Sequence, residues 1–337
     1  MTSDVSGPAP ASSRAGAAAP AIVATGLSKA FGKKVALDGV SLTVPRGSVF
    51  ALLGPNGSGK TTLVQVLSTL RLPSAGSAEV LGHDLRTAPA EVRAGIGVTG
   101  QFSAVDSMLT GLENLLLMAK LYHLARDEGE ARARSLLKRF DLSEAWSRPP
   151  STYSGGMRRR LDIAMTLMGD PALIFLDEPT TGLDPRSRQT MWQIVREFVA
   201  EGVTVFLTTQ YLQEADELAD QIALLDHGRV VAHGTPAELK QHAPGAHITL
   251  RFATSAGLHA AARSVPGSTP DADAFTLRCP MAADGGAVKR VLDRVPDGLP
   301  IEDITVHTPD LDDVFFALSG TTPQTRTEDT ARTGDHR

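Results

Sequence analysis

No stretch of the chain limits its fold more than residues 49–61. An apolar run, Val49-Phe50-Ala51-Leu52-Leu53, leads into Gly54-Pro55-Asn56-Gly57-Ser58-Gly59-Lys60-Thr61, which satisfies G-x-x-x-x-G-K-[ST] at every position. Few arrangements accept this pattern: a buried strand, a tight small-residue loop and a helix opening at Gly59–Lys60. Small residues let successive backbone N–H groups turn inward around phosphate oxygens, and the helix N-terminus adds partial positive charge. Lys60 then reaches the β and γ phosphates, Thr61 offers its hydroxyl to Mg²⁺, and Ser58 and Thr62 lie beside the phosphates. A glycine-rich turn with a chance lysine is the plain alternative. The motif alone means nucleotide binding, and it leaves kinases, GTPases, helicases and transport ATPases open.

A second apolar run, Ala172-Leu173-Ile174-Phe175-Leu176, ends in Asp177-Glu178. Side chains alternate along a strand, so the two acids take different roles. Asp177 is the candidate for the Mg²⁺ shell beside Thr61. Glu178, one position further out, can polarise the attacking water or accept its proton. Carboxylates at a buried edge are costly without a compensating cation, and Mg²⁺–ATP supplies one. The competing reading is a solvated acidic turn before Pro179.

The 337 residues allow two domains. Before Ala21 the chain is rich in Ala, Ser and Pro, which predicts a disordered lead-in over residues 1–20. Strands are predicted over 21–31, 35–44, 48–54, 77–85, 96–101, 172–178 and 203–210. Helical patterns occupy much of 112–168, then 188–202 and 214–220, and 235–245 reads as a helix and a break. Strand, helix, strand order points to α/β layers around a largely parallel core. A smaller α/β or α+β module follows over 246–318, with candidate strands ITLRFA, AFTLRC and EDITVHTP and helices GLHAAARSV and DGGAVKRVLDRV. Residues 319–337 read as a flexible tail. The formal charge of −5 argues against global attraction to nucleic acid. A single cysteine, Cys279, excludes an intramolecular disulfide and a clustered-cysteine metal site, and suits a reducing cytoplasm. No apolar run approaches the eighteen residues of a membrane span.

Between the two apolar runs stands Tyr153-Ser154-Gly155-Gly156-Met157-Arg158-Arg159-Arg160. It resembles the signature of ATP-binding-cassette ATPases, whose common form is LSGGQ. Other parts follow in the family's order. Gln101 resembles the loop glutamine that senses Mg²⁺ and contacts the membrane partner. Gly182-Leu183-Asp184 resembles the dimer-contact loop, and VTVFLTTQYLQEADELAD the switch region. The resemblance covers about residues 21–240, and it implies an α/β P-loop cassette with a parallel-sheet core, an antiparallel β part and a helical subdomain. It also implies two copies with ATP at their interface, Ser154, Gly155 and Gly156 of one facing the γ-phosphate held by the other. Within the family the chain is most similar to ATP-binding subunits of daunorubicin/doxorubicin-type resistance exporters, through strings that include STYSGGMRRRLDIAMTL and TPDLDDVFFALSG. That likeness implies an ATPase on the cytoplasmic face of the cell membrane, bound peripherally to an integral-membrane permease that carries the drug or antibiotic. Export of a polysaccharide, lipid or peptide, and a non-transport regulatory role, remain the rival readings.

The chain also departs from the pattern. Tyr153 and Met157 stand where the signature usually has Leu and Gln. Gln210 stands where most members carry the switch histidine. Glutamine can donate to a γ-phosphate but cannot become a cation, so slower or less pH-sensitive hydrolysis is expected. Phe31 is read either as an adenine platform or as a core residue. Arg158, Arg159 and Arg160 point in different directions on a helix, which predicts a solvated face or local acid pairing. The nine histidines show no zinc-ligand grouping, and Cys279 has no nucleophilic partner.

Overall fold

The computed structural model describes residues 19–100, 104–241, 245–281, 286–296, 298–307 and 310–319. The expected lead-in up to residue 18, Gln101 and the tail beyond 319 lie outside these residues. Two compact units divide the chain. The first holds residues up to 52, 56–209 and 227–229; the second holds 53–55, 210–226 and the chain from 230 onward.

In the first unit, β1 (Ile22–Phe31), β2 (Lys34–Val44), β4 (Ala75–Val80) and β5 (His83–Asp84) form an antiparallel sheet in the order β2-β1-β4-β5. Gly76 has φ +79°, and a Cβ there would collide with the Gly26 carbonyl, so only glycine lets β4 approach β1 so closely. A second sheet places β3 (Val49–Leu53) beside β8 (Thr204–Thr209), followed by β7 (Leu173–Asp177) and β6 (Ile96–Thr99). β7 runs parallel to both β6 and β8. β7 and β8 are buried along their whole length, as a parallel strand covered on both faces requires. Phe206 stacks on Phe50 at 5.3 Å and tilts against Phe175 at 5.4 Å, which ties three neighbouring strands through one side chain.

The connecting helices are α1 (Lys60–Leu67), α2 (Pro89–Gly95), α3 (Gly111–Leu121), α4 (Arg126–Arg139), α5 (Gly155–Thr166) and α6 (Pro185–Ala200). Thr110 and Glu113 form a reciprocal capping box that starts α3, satisfying two otherwise orphaned N–H groups. Asp184 caps α6 with Pro185 in its first turn, so the strand-to-helix passage after β7 is sharply set.

The second unit contains α7 (Leu212–Leu218), β9 (Gln221–Asp226), β10 (Arg229–Gly234, whose first residue belongs to the first unit) and α8 (Pro236–Lys240). The chain then builds β11 (His247–Phe252), α9 (Ser255–Ser264), β12 (Thr269–Asp271), β13 (Thr276–Pro280), α10 (Ala287–Leu292), β14 (Ile301–His307) and α11 (Leu311–Ser319). Its strands pair antiparallel in the order β12-β13-β11-β14. Ile248, Leu250, Phe252, Leu258, Leu277 and Val291 close an apolar core between sheet and helices. The three strands and two helices expected here are present, while α2, β12 and α11 were not anticipated from pattern. Ser319, read as the first residue of a tail, instead closes α11.

Candidate active site

The phosphate loop leaves β3 and feeds α1. Gly57 (φ +81°) and Gly59 (φ +114°) hold the left-handed backbone that turns the intervening amides inward. Ser58 is buried at 4% exposure, and its Oγ has no hydrogen-bond partner among the described residues. A buried hydroxyl without a partner costs about 1–3 kcal/mol, and a phosphate oxygen held in the loop would accept its hydrogen bond. No acidic residue lies in the first turn of α1, whose N-terminal end carries partial positive charge. Lys60 is buried at 5% exposure, and its Nζ lies 3.5 Å from Glu178 Oε1. These features fit a polyphosphate: an inward cradle, an orphan hydroxyl and a buried cation. Thr61 is exposed at the mouth of the loop and Thr62 is half-buried.

The two acids differ as strand alternation requires. Asp177 ends β7 at 3% exposure, and the Thr208 hydroxyl donates to its Oδ1. Glu178 turns out of the strand with φ +48°. For a residue other than glycine, that backbone costs on the order of 1–2 kcal/mol. Its N–H donates to both the carbonyl and the hydroxyl of Thr208, each at 3.1 Å, and Thr181 Oγ1 donates to Glu178 Oε2 at 3.3 Å. Thr208 therefore orients both acids from the neighbouring strand. Thr61 and Asp177 offer a hydroxyl and a carboxylate, an oxygen set that suits Mg²⁺ held jointly with phosphate and water. Among the described residues no group of three His, Cys, Asp or Glu side chains could hold a metal alone.

At the start of α5, Ser154 is the exposed N-cap, and Met157 N–H donates to its Oγ at 3.2 Å. Tyr153, in the signature's leucine position, is buried with its hydroxyl donating to the Ala145 carbonyl at 2.7 Å. A Cβ on Gly156 would sit 2.7 Å from Ser187 Oγ, so a small residue is needed where α5 meets α6. Asp184 accepts from Ser187 N–H (2.9 Å) and Oγ (2.7 Å), and these bonds hold its carboxyl below the usual carboxylate range. Gly155, Glu178, Thr181 and Gly182 share the wall of a cavity of about 220 Å³. Phe31 is 41% exposed, which removes the core reading; Lys29 Nζ and Arg71 Cζ each lie 5.3 Å from its ring centre. Gln210 follows the last residue of β8, is half-buried and belongs to the second unit.

The arginine triplet follows its sequence reading except in the burial of one member. Arg158 is exposed and Arg160 pairs with Asp141 at 3.2 Å, as a solvated face with local acid pairing predicts. Arg159 also pairs locally, with Asp162 at 3.2 Å, but it is not on a solvated face: it is 12% exposed and reaches backbone carbonyls at the ends of β6 and β7. Thr208 and Arg159 are the site residues that motif reading missed. Periodicity cannot tell which of three successive arginines faces inward, and Thr208 gains its role only from the β7–β8 register that pairs it with Asp177. In the second unit, burial pushes the Cys279 thiol up to about 11, so this cysteine is inert at neutral pH.

The sequence profile of the family described as ABC transporter matches residues 37–181. A daunorubicin resistance ATP-binding protein of Streptomyces coeruleorubidus is 48% identical over 303 residues, spanning 89% of this chain and 96% of that one. The chain belongs to the ABC-transporter ATP-binding proteins. A Nod factor export ATP-binding protein of Rhizobium meliloti is 36% identical over 300 residues, covering 89% of this chain and 88% of the relative. Among solved structures, an ATP-binding subunit of an ABC transporter superposes with TM-score 0.60 at 30% identity, over 65% of this chain and 92% of its own. A cassette solved as a dimer in a post-hydrolysis state with ADP and phosphate gives 0.59 at 26% identity, over 64% and 98%. The fold is the α/β cassette of these ATPases, and the protein binds and hydrolyses ATP. Among the described residues no helix is long and apolar enough to cross a membrane.

Proposed function

We propose that this ABC ATPase drives export of a hydrophobic drug or antibiotic through a separate membrane permease, docked peripherally on the cytoplasmic face. The buried Lys60–Glu178 pair beside the orphan Ser58 hydroxyl carries the chemical part of this reading. Water attacks the γ-phosphorus while Glu178 polarises it or takes its proton. The bond to the ADP oxygen breaks, and phosphate leaves. Lys60, with the amide N–H groups of Gly54, Asn56, Gly57, Ser58 and Gly59 on a loop that Pro55 shapes, stabilises charge on the transferred group, helped by Thr62. Thr61, Asp177 and Gln101 would hold Mg²⁺. When bound, the ion neutralises charge on the β and γ oxygens. Gln210 donates to the γ-phosphate and Phe31 stacks on adenine. Ser154, Gly155, Gly156 and Asp184 complete the site of a second copy, so that ATP closes a homodimer and hydrolysis opens it.

In domain terms, residues 21–240 act as the cassette and 246–318 as an accessory domain. The cargo reading rests on relatives named for daunorubicin and doxorubicin resistance at 44–48% identity, above the 36% of the Nod factor exporter. Cells producing the chain with its permease should accumulate less doxorubicin than control cells, and Lys60→Ala should restore accumulation. Equal accumulation in all three, with both proteins present, would refute drug export and leave a polysaccharide, lipid or peptide cargo.

A further inference from the structure

We infer that Arg159 is a positioning residue for Glu178, linking the signature helix to the acid of its own chain. This inference rests on the reading of Glu178 as the group that activates water. Arg159 lies in the second turn of α5, the helix that opens with Ser154-Gly155-Gly156. Its guanidinium donates to the Asp177 carbonyl at 3.0 Å and to the Pro179 carbonyl at 3.3 Å. These are the carbonyls of the residues immediately before and after Glu178. The residue between them is the one held at φ +48°. A strained backbone persists only where its surroundings over-determine it. Thr208 fixes the Glu178 N–H from one side, and Arg159 fixes the flanking carbonyls from the other.

The same guanidinium reaches a second segment. Arg159 Nη1 donates to the Gly100 carbonyl at 3.0 Å and pairs with Asp162 Oδ2 at 3.2 Å. The other oxygen of Asp162 accepts the Ala104 N–H at 3.1 Å. One ion pair on α5 thus holds the residues on both sides of 101–103 and the carbonyls of the residues before and after Glu178. The planar fork of arginine suits this task because it presents five donors in fixed directions, which lysine cannot do. A rigid-body shift of α5, whose first residues address the partner copy's nucleotide in the proposed dimer, would be felt directly at Glu178.

A double-mutant cycle in the full-length protein tests this, with single-turnover ATP hydrolysis and nucleotide affinity as readouts. Arg159→Met should lower the hydrolysis rate about 10- to 100-fold, as a small displacement of a reacting group does, and leave the ATP dissociation constant within about twofold. In the Glu178→Gln background the same substitution should cost nothing further, because the group it positions is gone. Arg159→Lys, which keeps the charge beside Asp162, should lose an intermediate amount, and it serves as the probe if the methionine variant does not fold. An equal loss in both backgrounds would show a merely structural role and overturn the inference. So would an unchanged rate in the presence of Glu178. If Glu178→Gln alone left turnover intact, the reading of Glu178 would fail first and take the inference with it.

Discussion

The first unit and the C-terminal module from 246 onward bury different kinds of residue. Around the phosphate loop the interior holds Ser58, Lys60, Asp177, Thr180 and Thr208, with an orphan hydroxyl on Ser58 and a strained backbone at Glu178. In the C-terminal module the buried side chains among the described residues are apolar, from Ala246 to Val314, with Cys279 as the one sulfur. Its polar contacts, such as His307 to Asp313 at 2.7 Å, lie nearer the surface. Polar groups buried without full satisfaction cost stability, and a chain keeps them where a ligand completes them. The contrast separates a region whose interior carries charges and hydroxyls beside the phosphate loop from one whose interior is apolar.

The largest effect that would sharpen this contrast is on Lys60. Lys60→Ala removes the buried cation and should reduce kcat/KM for ATP by about 10²- to 10³-fold, measured by phosphate release. A loss below threefold would break the assignment of the phosphate site. Ser58→Ala should separate stability from function. Removing an unsatisfied hydroxyl should stabilise the nucleotide-free protein by up to about 1 kcal/mol, while ATP affinity falls roughly 3- to 10-fold. Thermal unfolding with and without nucleotide checks both signs; destabilisation of the free protein would mean that the hydroxyl was already satisfied. The smallest effect lies in the C-terminal module. A thiol with its pKa raised to about 11 ionises only at strongly alkaline pH, so at pH 8 its thiolate fraction lies roughly a hundredfold below that of an ordinary thiol. Native Cys279 should resist a thiol reagent that modifies it promptly in denaturant.

Much of the candidate site could be read from the chain because it is local. The loop from Gly54 to Thr61, the acids after Leu176 and the cap at Ser154 each lie within one short segment whose geometry follows from residue type. What escaped depends on contacts distant in sequence. Thr208 matters because parallel pairing sets it against Asp177, thirty-one positions away. Arg159 matters because β6 and β7 end beside α5. Among the elements, β12 is three residues long with a central proline and exists only through its pairing with β13, so strand propensity could not mark it. The seven residues of α2 are too few to show helical periodicity.

The central claim is that two copies clamp ATP head to tail, and cross-linking tests it most directly. Because the one native cysteine is buried, new cysteines can be read without removing it. A chain carrying Ser154→Cys is mixed with one carrying Asn56→Cys, both in the Glu178→Gln background that should slow hydrolysis, and treated with a short bis-maleimide. The account predicts a Ser154–Asn56 linked dimer that forms with ATP and not without it. Linkage that ignores nucleotide, or none while ATP is demonstrably bound, would contradict it.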